Sequence, residues 1–139
     1  MSAKTVCFSL LAGCLLALAK PAMAGVPDDV RRDFAKAVYT GSPHLVHNRN
    51  PQPLLRAVIV LNVKLNHEGR WQAEVLRTND EQPEMLARAI ETVHRAPALE
   101  LPTHVKDEMR RDGLIEAWLF DNDGSFQVKT LAKAQRMGQ

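Results

Sequence analysis

A chain of 139 residues, 45% hydrophobic and 24% charged, is long enough for one small folded domain and too apolar for a disordered tail. Its net charge is only +2, and Lys4 and Lys20 carry that surplus, so the rest balances 16 basic against 16 acidic residues and offers no cationic excess to nucleic acid or anionic lipid. Both cysteines, Cys7 and Cys14, lie in the same opening stretch, which excludes disulfides, thiolate metal sites and cysteine nucleophiles from everything after it.

That opening stretch reads as a signal peptide over 1–24. Lys4 supplies the positive end, Val6 to Ala19 the apolar run, and Ala22-Met23-Ala24 the small-x-small cleavage pattern. Cleavage there predicts a periplasmic chain starting at Gly25, with no membrane span in the mature part. A minor alternative is lipidation at Cys14, because Leu11-Ala12-Gly13-Cys14 is similar to a lipoprotein box. Both routes carry the chain out of the cytoplasm.

Residues 25–55 are expected to hold an N-terminal helix and a loop. Asp28 or Asp29 can cap the helix, Val30, Phe34 and Val38 repeat on one face, and Gly41 and Pro43 end it. Ser42 to Pro53 then reads as loop. From Arg56 the period shifts to two. "AVIVLNVKLNHEGRWQAEVLRT" predicts a hairpin, with Ile59, Leu61, Val63 and Leu65 on one face of its first strand and Gly69 in the turn. Val58 and Val60 make one end of the opposite face apolar.

Pro83 suits a first helical turn and Pro97 forbids helix at Ala96, so 83–96 is the main helix. Its expected buried stripe is Leu86, Ala89, Ile90 and Val93, with Glu84–Arg88 and Glu91–Arg95 pairing outside. A short helix from Thr103 to Arg111 points Val105 and Met109 inward. "LIEAWLF" is the third strand, Asp121 to Gly124 a turn, and "SFQVKTL" a fourth strand. Ile115, Ala117 and Leu119 are expected to face the main helix. Leu114, Glu116, Trp118 and Phe120 then fall on the other side, under the first helix. The fold class is α+β: a small antiparallel sheet of three to four strands on one main helix, plus the N-terminal helix.

The run "VIVLNVKLNHEGRWQAEVLRT", then "PEMLARAIETVHRAPALELP", then "LIEAWLF" resembles the C-terminal domain of TonB and TolA. In that family an alanine-bearing helix leads into a small-residue and proline segment, as Ala87, Ala89, Ala96, Pro97 and Pro102 do here. The likeness covers about residues 56–120, within a domain drawn at 56–131, and 132–139 reads as a polar tail. The resemblance implies a non-enzymatic module that binds an extended segment of an envelope protein by strand addition, linked to a Ton- or Tol-type system. Leu114, Glu116, Trp118 and Phe120, with Asn79 and Asp80 of the loop Asn79–Gln82, are the expected partner-binding residues.

Chemistry-bearing patterns are sparse. Ser42 and Ser125 lie outside any Gly-x-Ser-x-Gly setting. His44, His47, His67, His94 and His104 lack ligand-like spacing, so neither a metal nor a cofactor is expected. The alternative reading is a small periplasmic enzyme or enzyme inhibitor using His94 or His104 with Asp107 or Glu108 as acid and base. A third is a homo-oligomer paired edge to edge.

Overall fold

The computed structural model describes residues 25–133, so the expected signal peptide, the Cys14 alternative and most of the polar tail lie outside the described residues. Within them run α1 (Asp28–Gly41), β1 (Ala57–Leu65), β2 (Trp71–Arg77), α2 (Pro83–Arg95), α3 (Thr103–Arg111), β3 (Leu114–Phe120) and β4 (Phe126–Val128). The strands form one antiparallel sheet in the order β2-β1-β3-β4. The class is α+β. No helix among the described residues is long and apolar enough to cross a membrane.

Local chemistry accounts for most boundaries. Asn66 closes the β1–β2 turn by accepting the Glu68 and Arg70 amides on its side-chain oxygen, while Gly69 takes a φ of 76° that other residues avoid. Pro83 opens α2, and Ala96 leaves it with a ψ of 127°, as Pro97 requires. Val105 and Met109 of α3 are buried as expected. The start of α1 differs from expectation: Pro27 is its cap residue, and no side chain caps the helix. Gly41 ends α1 where a Cβ would run into the Arg95 carbonyl, so the ends of α1 and α2 meet closely.

Register decides which face is inside. Ile59 of β1 lies opposite Trp118 of β3, and Leu61 opposite Glu116, so these side chains share one face. That face carries the helices. Trp118 donates its indole N–H to Thr92 Oγ1 of α2 at 2.9 Å, and Phe34 of α1 meets Trp71 of β2 edge-on at 5.0 Å. Both helices therefore pack on the same side, and the expectation for β3 is inverted. Leu114, Glu116, Trp118 and Phe120 are buried, whereas Ile115 is 55% exposed. Val30, Phe34 and Val38 are buried as expected, but in the same core as Trp118 rather than across the sheet.

The α2 stripe is rotated too. Met85, Ala89, Thr92 and Val93 are its buried residues, while Leu86 and Ile90 are only partly covered. Thr92 can go inside because its hydroxyl donates to the Ala89 carbonyl and accepts from Trp118. Glu91–Arg95 pairs at 2.6 Å, but Glu84 turns to Arg56 at 2.7 Å and Arg88 donates to the Gly124 carbonyl. The fourth strand is shorter than expected. Thr130 gives its amide and hydroxyl to the Glu116 carboxylate, and Lys129–Leu131 forms a 3-10 turn instead of strand. Those bonds also satisfy the buried acid, since a carboxylate is an acceptor only.

Tyr39, the single tyrosine, accepts the Val128 amide on its hydroxyl and packs edge-on against Phe126. Burial raises its pKa above the ordinary 10.0; the Val128 bond opposes this, and the charge of Glu116 adds to it. An acid whose folded-state pKa is raised contributes stability fully below the unfolded value and loses it as pH climbs through the folded value. The phenolate absorbance of the native protein should therefore reach its midpoint above pH 10.0 and return to that value in denaturant.

Candidate functional site

A four-stranded open sheet has two edges, and this chain closes one of them itself. Val46 forms a parallel bridge to Phe126, and the His47 amide donates to the Phe126 carbonyl at 2.8 Å. Gln127, buried on β4, donates its side-chain amide to the carbonyls of His47 and Arg49. Asp121 holds the far end of this strap by accepting the Gln52 amide at 3.1 Å. Further along β3, where β4 has stopped, Arg31 of α1 donates to the Ile115 carbonyl at 2.7 Å. The expected loop Ser42 to Pro53 thus works as an edge cover.

Beneath the strap sits a serine–histidine–aspartate cluster that sequence reading did not assemble. His47 Nδ1 lies 2.9 Å from Ser125 Oγ and 3.2 Å from Asp121 Oδ2. The Ser125 hydroxyl proton goes to Asp123 Oδ1 at 2.5 Å, so Nδ1 is the donor to Ser125. That hydroxyl, ahead of the Ser125 amide, holds the Asp123 carboxyl below its ordinary 3.8. Nucleophilic catalysis needs the serine proton aimed at one ring nitrogen and the aspartate on the other. Here both contacts fall on Nδ1, and Nε2 is buried without a partner. The arrangement fastens the strap; it does not activate Ser125.

The partner-binding residues expected on β3 are not available to an added strand. Leu114, Glu116, Trp118 and Phe120 are buried, and β3 lies between β1 and β4. The expectation failed because "LIEAWLF" is apolar on both faces and gives no hint that it is central. Asn79 and Asp80 fare differently. They stand in the link from β2 to α2, where the Asn79 side chain accepts the Glu81 amide. With Arg56, Val58 and Arg77 they line a cleft of about 410 Å³ beyond the C-terminal end of β2.

His104 shares α3 with Asp107 and Glu108, the acids of the enzymatic alternative, and His94 stands on α2. His94 is exposed at the end of α2, His104 is exposed on α3, and Asp107 pairs with Arg110 at 3.4 Å. No cluster of three or more metal-ligating side chains occurs among the described residues.

The remaining edge is β2. The Asn66 amide bonds to the Arg70 carbonyl, which makes that pair a hydrogen-bonded one. Antiparallel pairs alternate, so Gln72 and Glu74 bond to β1, while the backbone groups of Ala73 and Val75 point away from the sheet. No backbone bond within the described residues takes them up. At the N-terminal end of this edge lies a second cleft of about 550 Å³, lined by Arg70, Trp71, Gln72, His94, Ala96 and Ala98. Among these Trp71 is anchored by its indole N–H on the Pro97 carbonyl at 3.2 Å. An open edge with a cleft at each end can take a peptide by main-chain bonding.

A scan against protein-family models, a search of the curated proteins and a search of solved structures each find no match to this chain.

Proposed function

We propose that this protein is a non-enzymatic periplasmic interaction module that captures an extended segment of an envelope protein as an added strand along β2, in connection with a Ton- or Tol-type system. One observation carries the reading. The β2 edge presents the unpaired backbone of Ala73 and Val75, while the opposite edge is filled by the chain's own Val46 and His47. An unpaired edge is a template for another strand unless it is blunted. The signal-like stretch before Gly25 and the resemblance of residues 56–120 to the TonB and TolA C-terminal domain support the compartment and the mode of binding.

Site-specific photo-crosslinking in intact cells tests it. A photoreactive side chain at Gln72 or Glu74, both exposed on β2, should give a discrete adduct with an envelope protein. The same group at Asp107 of α3 should give none. Adducts from α3 with nothing from β2 would remove this reading.

A further inference from the structure

The sheet face turned away from α1 and α2 has an apolar strip of its own. Strand residues alternate sides, and Ile59 and Trp118 point to the helices. Val58 and Val60 of β1 and Ile115, Ala117 and Leu119 of β3 therefore point the other way. The register sets Val60 opposite Ala117 and Val58 opposite Leu119, which makes the strip continuous. None of these residues is buried, and Ile115 is 55% exposed. Asn62 and Lys64 follow Val60 on the same face and end the strip there.

At the Ile115 end, beside the stretch of β3 that β4 does not reach, the strip meets a cleft of about 390 Å³. Val60, Ile115 and Ala117 line it together with Arg31, Glu116 and Lys129. Neither Arg31 nor Lys129 forms an ion pair among the described residues. The Glu116 carboxylate is already engaged, by the Ala117 amide and by the amide and hydroxyl of Thr130. Two cations against one acid leave the cleft with a single net positive charge.

We infer that this cleft binds a single-chain carboxylate amphiphile, a free fatty acid anion. Its carboxylate sits between Arg31 and Lys129, and its acyl chain lies along the strip toward Val58 and Leu119. The backbone argues against a peptide here. The Ile115 carbonyl holds Arg31 and the Ala117 amide holds Glu116, so a peptide would leave its own amides unpaired against apolar side chains. An acyl chain has no such groups to satisfy. The area argues against a second copy, which needs about 800 Å² per partner. A strip two strands wide, with Ile115 alone exposed, does not supply it. The net charge fits a monoanion, and the run from Ile115 to Leu119, about 13 Å, fits one extended alkyl chain. This site is separate from the β2 edge, and either can fail without the other.

The test is a nuclear magnetic resonance titration of the protein with dodecanoate below its micelle concentration. Expected are shifts at the methyls of Val60, Ile115 and Ala117, with the β2 amides of Ala73 and Val75 unmoved. Dodecyltrimethylammonium, a like tail on a cation, should bind about tenfold more weakly. Lys129→Gln should weaken dodecanoate binding about two- to fivefold, and Ile115→Ser about fivefold or more. Both positions are exposed, so both variants keep the core intact. Equal binding of the two amphiphiles would overturn the cationic head site. Shifts spread through Trp118 and the core would show detergent unfolding and overturn the cleft, as would no shift at all. Self-association of the free protein that Ile115→Ser abolishes would give the strip to a second copy and overturn the proposal.

Discussion

Trp118→Ala is expected to lower the stability of the protein by about 3–5 kcal/mol, the usual cost of deleting a fully buried indole. Trp118 is 0% exposed and is the largest fully buried side chain. It sits on β3 opposite Ile59 and Val128, under Thr92 of α2, so its removal leaves a void where three strands and a helix converge. The indole N–H bond adds a separable part. Trp118→Phe keeps most of the apolar volume and loses the bond to Thr92, and should cost about 1–2 kcal/mol. Urea unfolding measures both. Trp71, the other tryptophan, is 6% exposed and remains as the fluorescent reporter in either variant. A shift below about 1 kcal/mol for the alanine variant would mean that β3 does not run through the centre of the sheet.

Ala73→Pro is expected to reduce binding of an added strand by at least about tenfold, or ~1.4 kcal/mol, while leaving the fold in place. The Ala73 amide points away from β1, so proline there removes a donor that the sheet does not use. Gln72 before it is in extended conformation, as a residue preceding proline prefers. The ring also stands where the incoming strand must approach. Glu74→Pro is the matched control. That amide belongs to the pair with Asn62, so its loss should destabilise the hairpin by about 1 kcal/mol or more. The affinity of the variants for an extended peptide as long as β2, seven residues, and their urea midpoints separate the two effects. Full binding by a folded Ala73→Pro protein would place the contact elsewhere.

Much of the candidate edge was legible before any tertiary contact was known. The hairpin holding β2 follows from alternation and from the Gly69 turn, and the loop Asn79–Gln82 comes directly after it in the chain. The wrong choice was the strand. β3 carries apolar residues on both faces, so its sequence does not show that it is central. Glu116 is satisfied by Thr130, whose position depends on a turn that follows β4. The His47 cluster was illegible for a similar reason, since it joins a loop before β1 to the turn after β3.

The sequence by itself determined the elements and their ends. Prolines at 83 and 97 bound α2, glycines at 69 and 124 permit the turns through their positive φ, and alternation in Ala57–Leu65 selects the buried side of β1. Each of these is a restriction on backbone angles or side-chain period that acts within a few residues. Only the tertiary structure decided strand order, the inward face of β3, the buried flank of α2 and which edge stays open. Those depend on pairings between distant segments, such as Ile59 with Trp118 and Val46 with Phe126. A strand that is apolar on both sides carries no period to announce its register, so packing makes the choice.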